Sequence, residues 1–383
     1  MEEPPLEDDP PLTFEAAAQL IRPYSMPPVD LVVDGRKFQL RYWLYDSRKQ
    51  DPARSGVMVC FHGIGGCKTD FAALVKGPLP GHIGFVVVID WPFFGGNCSS
   101  EWDALTLSDF LFRPPGEAPD EDDVRFLAKF ANEAVKQKIL PPILKTLQLN
   151  QKLANAKRAK TNAGDGQAVA GGAATHLTEF DTIAPQAAVK EVTNVDDLKI
   201  DLVGHSFGGI VALHYGILFA SQLNSLTVVD SALIYPKRSN LVDWVLNNSP
   251  TESHYISEFH GVRNRDFRDF IKGGNLPGYF YWDAVLQNHT SSVGFHRYAK
   301  VMRAHMDEAK SAELYLQCRA KLADSGGKEK LFYVAAGANL TFVQSTLDFL
   351  KEHNLPFETV DNAGHFISID KPEAFCKVLA KQL

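Results

Sequence analysis

Six short, continuously apolar runs, separated by helix-like segments, most narrow what this 383-residue chain can fold into. They read VMVCF from Val57, FVVVID ending at Asp90, IDLVG from Ile200, LTVVD ending at Asp230, LFYVA from Leu331 and FETV from Phe357. Runs this short, without polar alternation, suit strands buried on both faces of a sheet. Helical patterns follow Lys68, lie around Thr182 to Val195, and cover Phe207 to Ala220 and Ser345 to Glu352. A last one begins at Asp370, where Pro372 and Glu373 give a capping-box signature. The alternation predicts an α/β fold: a mostly parallel open sheet flanked by helices. Ahead of it, VDLVVDGRKFQLRYWLY carries Asp34-Gly35 between β-prone runs, which predicts a tight hairpin.

Two stretches exceed the roughly 2–6 residues usual for a connection. The first, from Asn97 to about Thr178, holds an acidic patch from Glu117 and an amphipathic helix with Val124, Leu127, Ala131 and Val135 on one face. Pro141-Pro142 is expected to end that helix. The Ala/Gly/Asn-rich run from Ala154 to Thr175 reads as a flexible surface loop with its basic residues solvated. The second, from Ser231 to about Lys330, is dense in large aromatic residues, enough for a small helical subdomain. The opening MEEPPLEDDPPL reads as a disordered acidic tail over residues 1–25. The expected organisation is a core of 26–230 and 331–383, a surface insertion at about 100–178, and a helical insertion over 231–330.

Composition excludes several classes. Lys and Arg number 39 against 46 Asp and Glu, a net charge of −7, which argues against a nucleic-acid surface. No apolar run approaches the roughly 18 residues of a membrane span. The five cysteines are odd in number and form no CxxC pair, so they read as free thiols, and the expected location is cytoplasmic. No HExxH occurs, and His254 and His260 lack matching ligands, so no metal is expected. The HGIGG run lacks G-x-G-x-x-G spacing, which leaves no cofactor implied.

The sharpest motif is Gly204-His205-Ser206-Phe207-Gly208, set directly between a predicted strand and a predicted helix. In that setting G-x-S-x-G makes a sharp turn that lifts the serine hydroxyl above the sheet at a helix N-terminus. Serine is a weak nucleophile at neutral pH and needs a base, which in turn needs an orienting group. Asp230 lies 24 residues beyond Ser206, one helix and one return strand away. It should therefore emerge on the same C-terminal sheet edge, where ligands bind in open α/β sheets.

With this motif the chain resembles the α/β-hydrolase superfamily, and further segments fit in order. Phe61-His62-Gly63-Ile64-Gly65-Gly66 resembles its oxyanion loop, and Asp90 to Ser99 its D-x-P-G-x-G-x-S turn, with Phe94 at a place usually held by glycine or arginine. Asn362-Ala363-Gly364-His365-Phe366 is similar to its catalytic-histidine loop. The likeness covers about Val29 to Ser99 and Asp181 to Asp230, and resumes from Leu331. It implies Ser206 as nucleophile, His365 as base, and the backbone N–H groups of Ile64 and Phe207 as oxyanion hole. His62 and His205 read as structural neighbours. After LFYVA the family often carries G-x-x-D, and this chain has Gly337-Ala338-Asn339-Leu340 instead. The acid is then Asp230, which keeps the order nucleophile, acid, base; the alternatives are Asn339 as a neutral orienter, a distant carboxylate such as Asp361, or no acid.

These readings imply a serine hydrolase of esterase or lipase type, acting on an ester, thioester or related acyl bond of a small hydrophobic substrate, with the second insertion as its lid. A serine nucleophile disfavours epoxide-hydrolase and dehalogenase chemistry. Open alternatives are acyl transfer to another acceptor, hydrolysis of a carbon–carbon bond in a diketone, and a catalytically silent binding or scaffold protein.

Overall fold

Asp34 and Gly35 take φ values of 48° and 77°, the consecutive positive angles that a type I′ turn requires. They join β1 (Val29–Val33) to β2 (Arg36–Leu40) as the expected antiparallel hairpin. The next residues form a separate strand, β3 (Tyr42–Asp46), which pairs antiparallel with β5 (Ile83–Ile89). This computed structural model describes residues 11–49, 51–97, 121–164, 194–231, 276–304, 308–325 and 330–383.

The six apolar runs all become strands: β4 (Gly56–Phe61), β5, β6 (Ile200–His205), β7 (Leu223–Val229), β8 (Leu331–Ala336) and β9 (Phe357–Val360). Their order across the sheet is β3-β5-β4-β6-β7-β8-β9, parallel throughout except at the β3 edge. Burial explains the sequence pattern, since every residue of β5, β6 and β8 is buried, as both-sided coverage by helices demands. The chain runs from β4 to β5 on one side and returns to β6 on the other, so a crevice opens at the ends of β4 and β6. Register brings Phe61 beside Gly204, His205 beside Val229, and Val229 beside Val334, which aligns the loops after β4, β6, β7 and β8 at one edge.

The flanking helices fall into two groups. Helix α2 (Glu121–Ala134), α4 (Phe207–Phe219) and α7 (Glu308–Asp324) pack together, and the 3-10 segment Lys68–Val75 packs with α1 (Phe14–Ile21), α9 (Ile367–Asp370) and α10 (Pro372–Gln382). The expected apolar face of α2 is buried at Val124, Leu127 and Ala131. Helices α5 (Leu276–His289) and α6 (Ser292–Ala304) also belong to this body, and α8 (Leu340–Glu352) follows β8. Val135–Leu198 forms a second compact unit, containing a π-helical turn (Val135–Ile139), α3 (Leu140–Gly164) and a Lys136–Asp196 ion pair at 3.1 Å.

Several sequence expectations are corrected. Residues 14–24, within the expected tail, form α1 and a 3-10 turn; Thr13 caps the helix by accepting from Ala16 N at 3.2 Å, and Ala17 and Ile21 are buried. Pro141 and Pro142 do not end the helix: they follow directly on the π-helical turn Val135–Ile139, and helical structure continues through them along α3. That helix reaches Gly164, so the expected flexible loop is helical from Ala154 to Gly164. Helix α7, within the expected 231–330 insertion, packs on α4. Residues 1–10, Cys98, Ser99, most of the expected helix around Thr182, and the aromatics from Tyr235 to Phe270 lie outside the described residues.

Candidate active site

Ser206 stands between β6 and α4 at φ 53°, ψ −123°, a conformation that costs about 1–3 kcal/mol for a residue with a Cβ. Two glycines make the turn possible. A Cβ on Gly204 would lie 2.4 Å from the Gly208 carbonyl oxygen, and one on Gly208 would lie 2.4 Å from that of Phe61. The turn is pinned on both sides: Ser206 N donates to Val229 O at 2.9 Å, and Gly209 N to Ser206 O at 2.9 Å.

Asp230, at the end of β7, is fully buried and also takes a positive φ of 40°. Its Oδ1 accepts from Ala336 N at 3.0 Å and its Oδ2 from His365 Nδ1 at 2.7 Å. Strand β8 therefore holds the carboxylate through its last amide without supplying an acid of its own. Asn339 belongs to a 3-10 turn, Gly337–Asn339, and Asp361 is exposed. His365 is joined to the serine turn as well, because its carbonyl accepts from His205 Nε2 at 2.8 Å. Burial and the adjacent His365 hold the His205 pKa well below the usual imidazole value, so that ring stays neutral.

The loop after β4 lies directly over the serine, since a Cβ on Gly63 would fall 2.9 Å from Ser206 Cβ and 3.3 Å from Ser206 Oγ. It turns at Ile64 and Gly65, closed by Gly66 N donating to Gly63 O at 3.2 Å. That bond uses the Gly66 amide and not that of Ile64. Phe207 N belongs to the first turn of α4, whose amides lack intrahelical partners. His62 anchors the loop: Nδ1 donates to Gly63 O at 2.8 Å, Nε2 accepts from Trp91 N at 3.0 Å, and burial lowers its pKa to about 4. Asp90 is fully buried, with Lys68 Nζ 2.8 Å and Gly96 N 3.1 Å from its Oδ2, so it holds the turn after β5.

Helices α5 and α6 bring aromatic rings to these loops. Tyr298 packs edge-on to Phe94 at 4.8 Å and to Phe207 at 5.5 Å, and Trp282 lies 6.5 Å from Phe366. Two buried carboxyls, neither expected from the sequence to act here, fasten α5. Asp370, expected as a helix cap, turns inward instead: Oδ1 accepts from Gly278 N at 2.8 Å and Oδ2 from Gly364 N at 2.9 Å, while Lys371 takes the cap position. Asp70 Oδ1 accepts from Tyr281 OH at 2.8 Å and from Cys67 N at 3.2 Å, and its Oδ2 is buried without a partner. Burial pushes both carboxyls up to about 7. The available signal for Asp370 was its place five residues after His365.

Among the described residues no cluster of His, Cys, Asp and Glu is placed to hold a metal, and no helix is long and apolar enough to cross a membrane.

The Alpha/beta hydrolase family model matches residues 161–378. The chain belongs to that family. No curated protein sequence matches it. Solved structures similar in fold include a carboxylesterase of the ammonia-oxidizing thaumarchaeon Nitrososphaera gargenis, at 14% identity and TM-score 0.50, covering 92% of this chain and 97% of that one. An enol-lactonase from Burkholderia xenovorans LB400 aligns at 11% identity and TM-score 0.51 over 93% and 98% of the two chains. A thermophilic esterase from Thermogutta terrifontis aligns at 12% identity and TM-score 0.50 over 93% and 97%. At such identities the likeness is one of fold.

Proposed function

We propose that this hydrolase-fold chain is a serine hydrolase cleaving an ester, thioester or related acyl bond of a small hydrophobic molecule. The observation that carries the reading is the 2.7 Å contact from His365 Nδ1 to Asp230 Oδ2, beside a serine turn hydrogen-bonded to Val229 and His365. In this reading Ser206 Oγ attacks the acyl carbon while its proton passes to His365 Nε2. The Asp230 carboxylate fixes the proton on Nδ1 and stabilises the imidazolium that forms. The Ile64 and Phe207 amides receive the developing oxyanion, each worth about 3 kcal/mol. The leaving group departs with the proton from His365, and water attacks the acyl-enzyme by the same route. Phe94, Phe207, Tyr298 and Trp282 favour an apolar acyl or alcohol group, with α5 and α6 serving as lid.

The test is labelling with a fluorophosphonate probe, followed by a chain-length series of chromogenic esters. Wild-type chain should label and Ser206→Ala should not. Absence of labelling, or equal labelling of both, would replace this reading with that of a silent binding protein.

A further inference from the structure

Helix α5 meets the loops of the proposed site through one face. Gly278, Tyr281, Trp282 and Val285 follow an i, i+3, i+4, i+7 pattern, and all four are buried. At its start, Gly278 N belongs to the first helical turn, where amides lack intrahelical acceptors and the dipole favours an anion. The acceptor comes from another part of the chain. Asp370, 1% exposed, places one carboxylate oxygen on Gly278 N and the other on Gly364 N, the residue before His365. The short helix α9 that carries Asp370 is itself fixed, because Ser368 Oγ donates to the Asp70 carbonyl and Leu12 N to Ile369 O at 2.9 Å.

We propose that Asp370 is a positioning residue for His365: its carboxylate bridges the histidine loop to the first turn of α5, so the base is held in place only while that helix is docked. The proposal rests on the reading of His365 as general base. Both oxygens of Asp370 are committed, one to each loop, so replacing either oxygen frees one side of the bridge. The neighbouring Tyr281–Asp70 bond, three residues further along α5, is the second fastening on the same face. That bond ties α5 to the segment after β4, and the Tyr281 ring packs 6.0 Å from Phe366, whereas Asp370 bonds the Gly364 amide beside His365 directly.

Two variants approach the bridge from opposite ends. Asp370→Asn keeps the size but turns one acceptor into a donor facing a backbone N–H. Gly278→Ala leaves the histidine loop untouched, yet its Cβ would lie 2.8 Å from Asp370 Oδ1 and displace the carboxylate. On helix propensity alone that alanine would stabilise α5. Steady-state ester hydrolysis should show each variant losing about 10- to 100-fold in kcat with KM within about twofold, the scale of a small misplacement of a reacting group. The double variant should be no worse than the worse single one, since both break the same bridge. The downfield proton resonance of His365 Nδ1 should shift in both, a readout that needs no turnover. Unchanged kcat with an unchanged Nδ1 resonance in Asp370→Asn, or additive losses in the double variant, would overturn the proposal. If the wild-type chain hydrolyses no ester, the proposed activity fails on that result, and the Nδ1 resonance alone decides on Asp370.

Discussion

The two edges of the central sheet carry the same three residue types in different order. At the C-terminal edge His365 Nδ1 bonds Asp230, and Ser206 stands apart on a strained turn at a helix start. At the N-terminal edge Asp201 sits in the middle: Ser225 Oγ donates to its Oδ1 at 2.6 Å, and His82 Nε2 lies 2.9 Å from its Oδ2. Ser225 lies in an ordinary strand, and its hydroxyl donates to the carboxylate and not to a histidine. The carboxylate there joins the segment before β5 to β6 and β7. Serine, histidine and aspartate in proximity are thus insufficient. What separates the proposed site from a structural knot is which group lies in the middle and whether the serine is held at positive φ.

The largest expected effect tests that difference directly. Asp230→Asn should lower the turnover number by about 10⁴-fold, because an amide facing Nδ1 stabilises the wrong imidazole tautomer. Asn339→Ala should be mild, and Ser225→Ala should leave turnover unchanged. Reversal of the first two in steady-state kinetics would move the acid to the loop after β8.

A smaller effect separates the edges by charge. The native Asp70 pKa is raised from 3.8 to about 7 by burial, so the folded chain binds more protons than the unfolded one between those values. Its contribution to stability is complete below 3.8 and lost as pH rises through about 7, with up to about 4 kcal/mol at stake. Asp70→Asn should flatten the decline of urea midpoint between pH 5 and pH 8; an unaltered slope would mean the carboxyl is already satisfied. At the opposite edge His82 is raised above 6.5, chiefly by its hydrogen bond to Asp201. Its stabilisation is complete below 6.5 and fades as pH rises through the native value. The side chain is 42% exposed, so screening leaves less than about 1 kcal/mol. His82→Gln should therefore lower the melting temperature slightly at pH 6 and not at pH 9.

Much of this arrangement is legible in the sequence because the signals are local. Continuous apolar runs mark strands covered on both faces, Asp34-Gly35 marks a turn needing two positive φ values, and Gly204 to Gly208 marks the elbow by its crowding. Asp230 is legible through strand order alone. Asp370 is not, because Asp-Lys-Pro-Glu before an amphipathic run looks the same whether the aspartate caps its own helix or reaches Gly278, 92 residues away. Helix α7 is hidden for a related reason: its buried Tyr315, Cys318 and Leu322 meet α4 only in the folded sheet. The α1 signal, Thr13 before an alanine-rich run, is outweighed by the prolines and acids ahead of it.

The strand pairings also carry a kinetic consequence. The β1–β2 hairpin closes across two residues, whereas Val57 pairs with Ile200 and Leu226 with Leu331, more than a hundred residues apart. Lengthening such loops adds little free energy, about 0.6 kcal/mol per doubling, but non-local pairing slows folding. Ser206 waits on the first closure, and Asp230 meets His365 only after the second. The groups proposed to do the chemistry are therefore expected to assemble among the last in the chain, long after the hairpin that begins the fold.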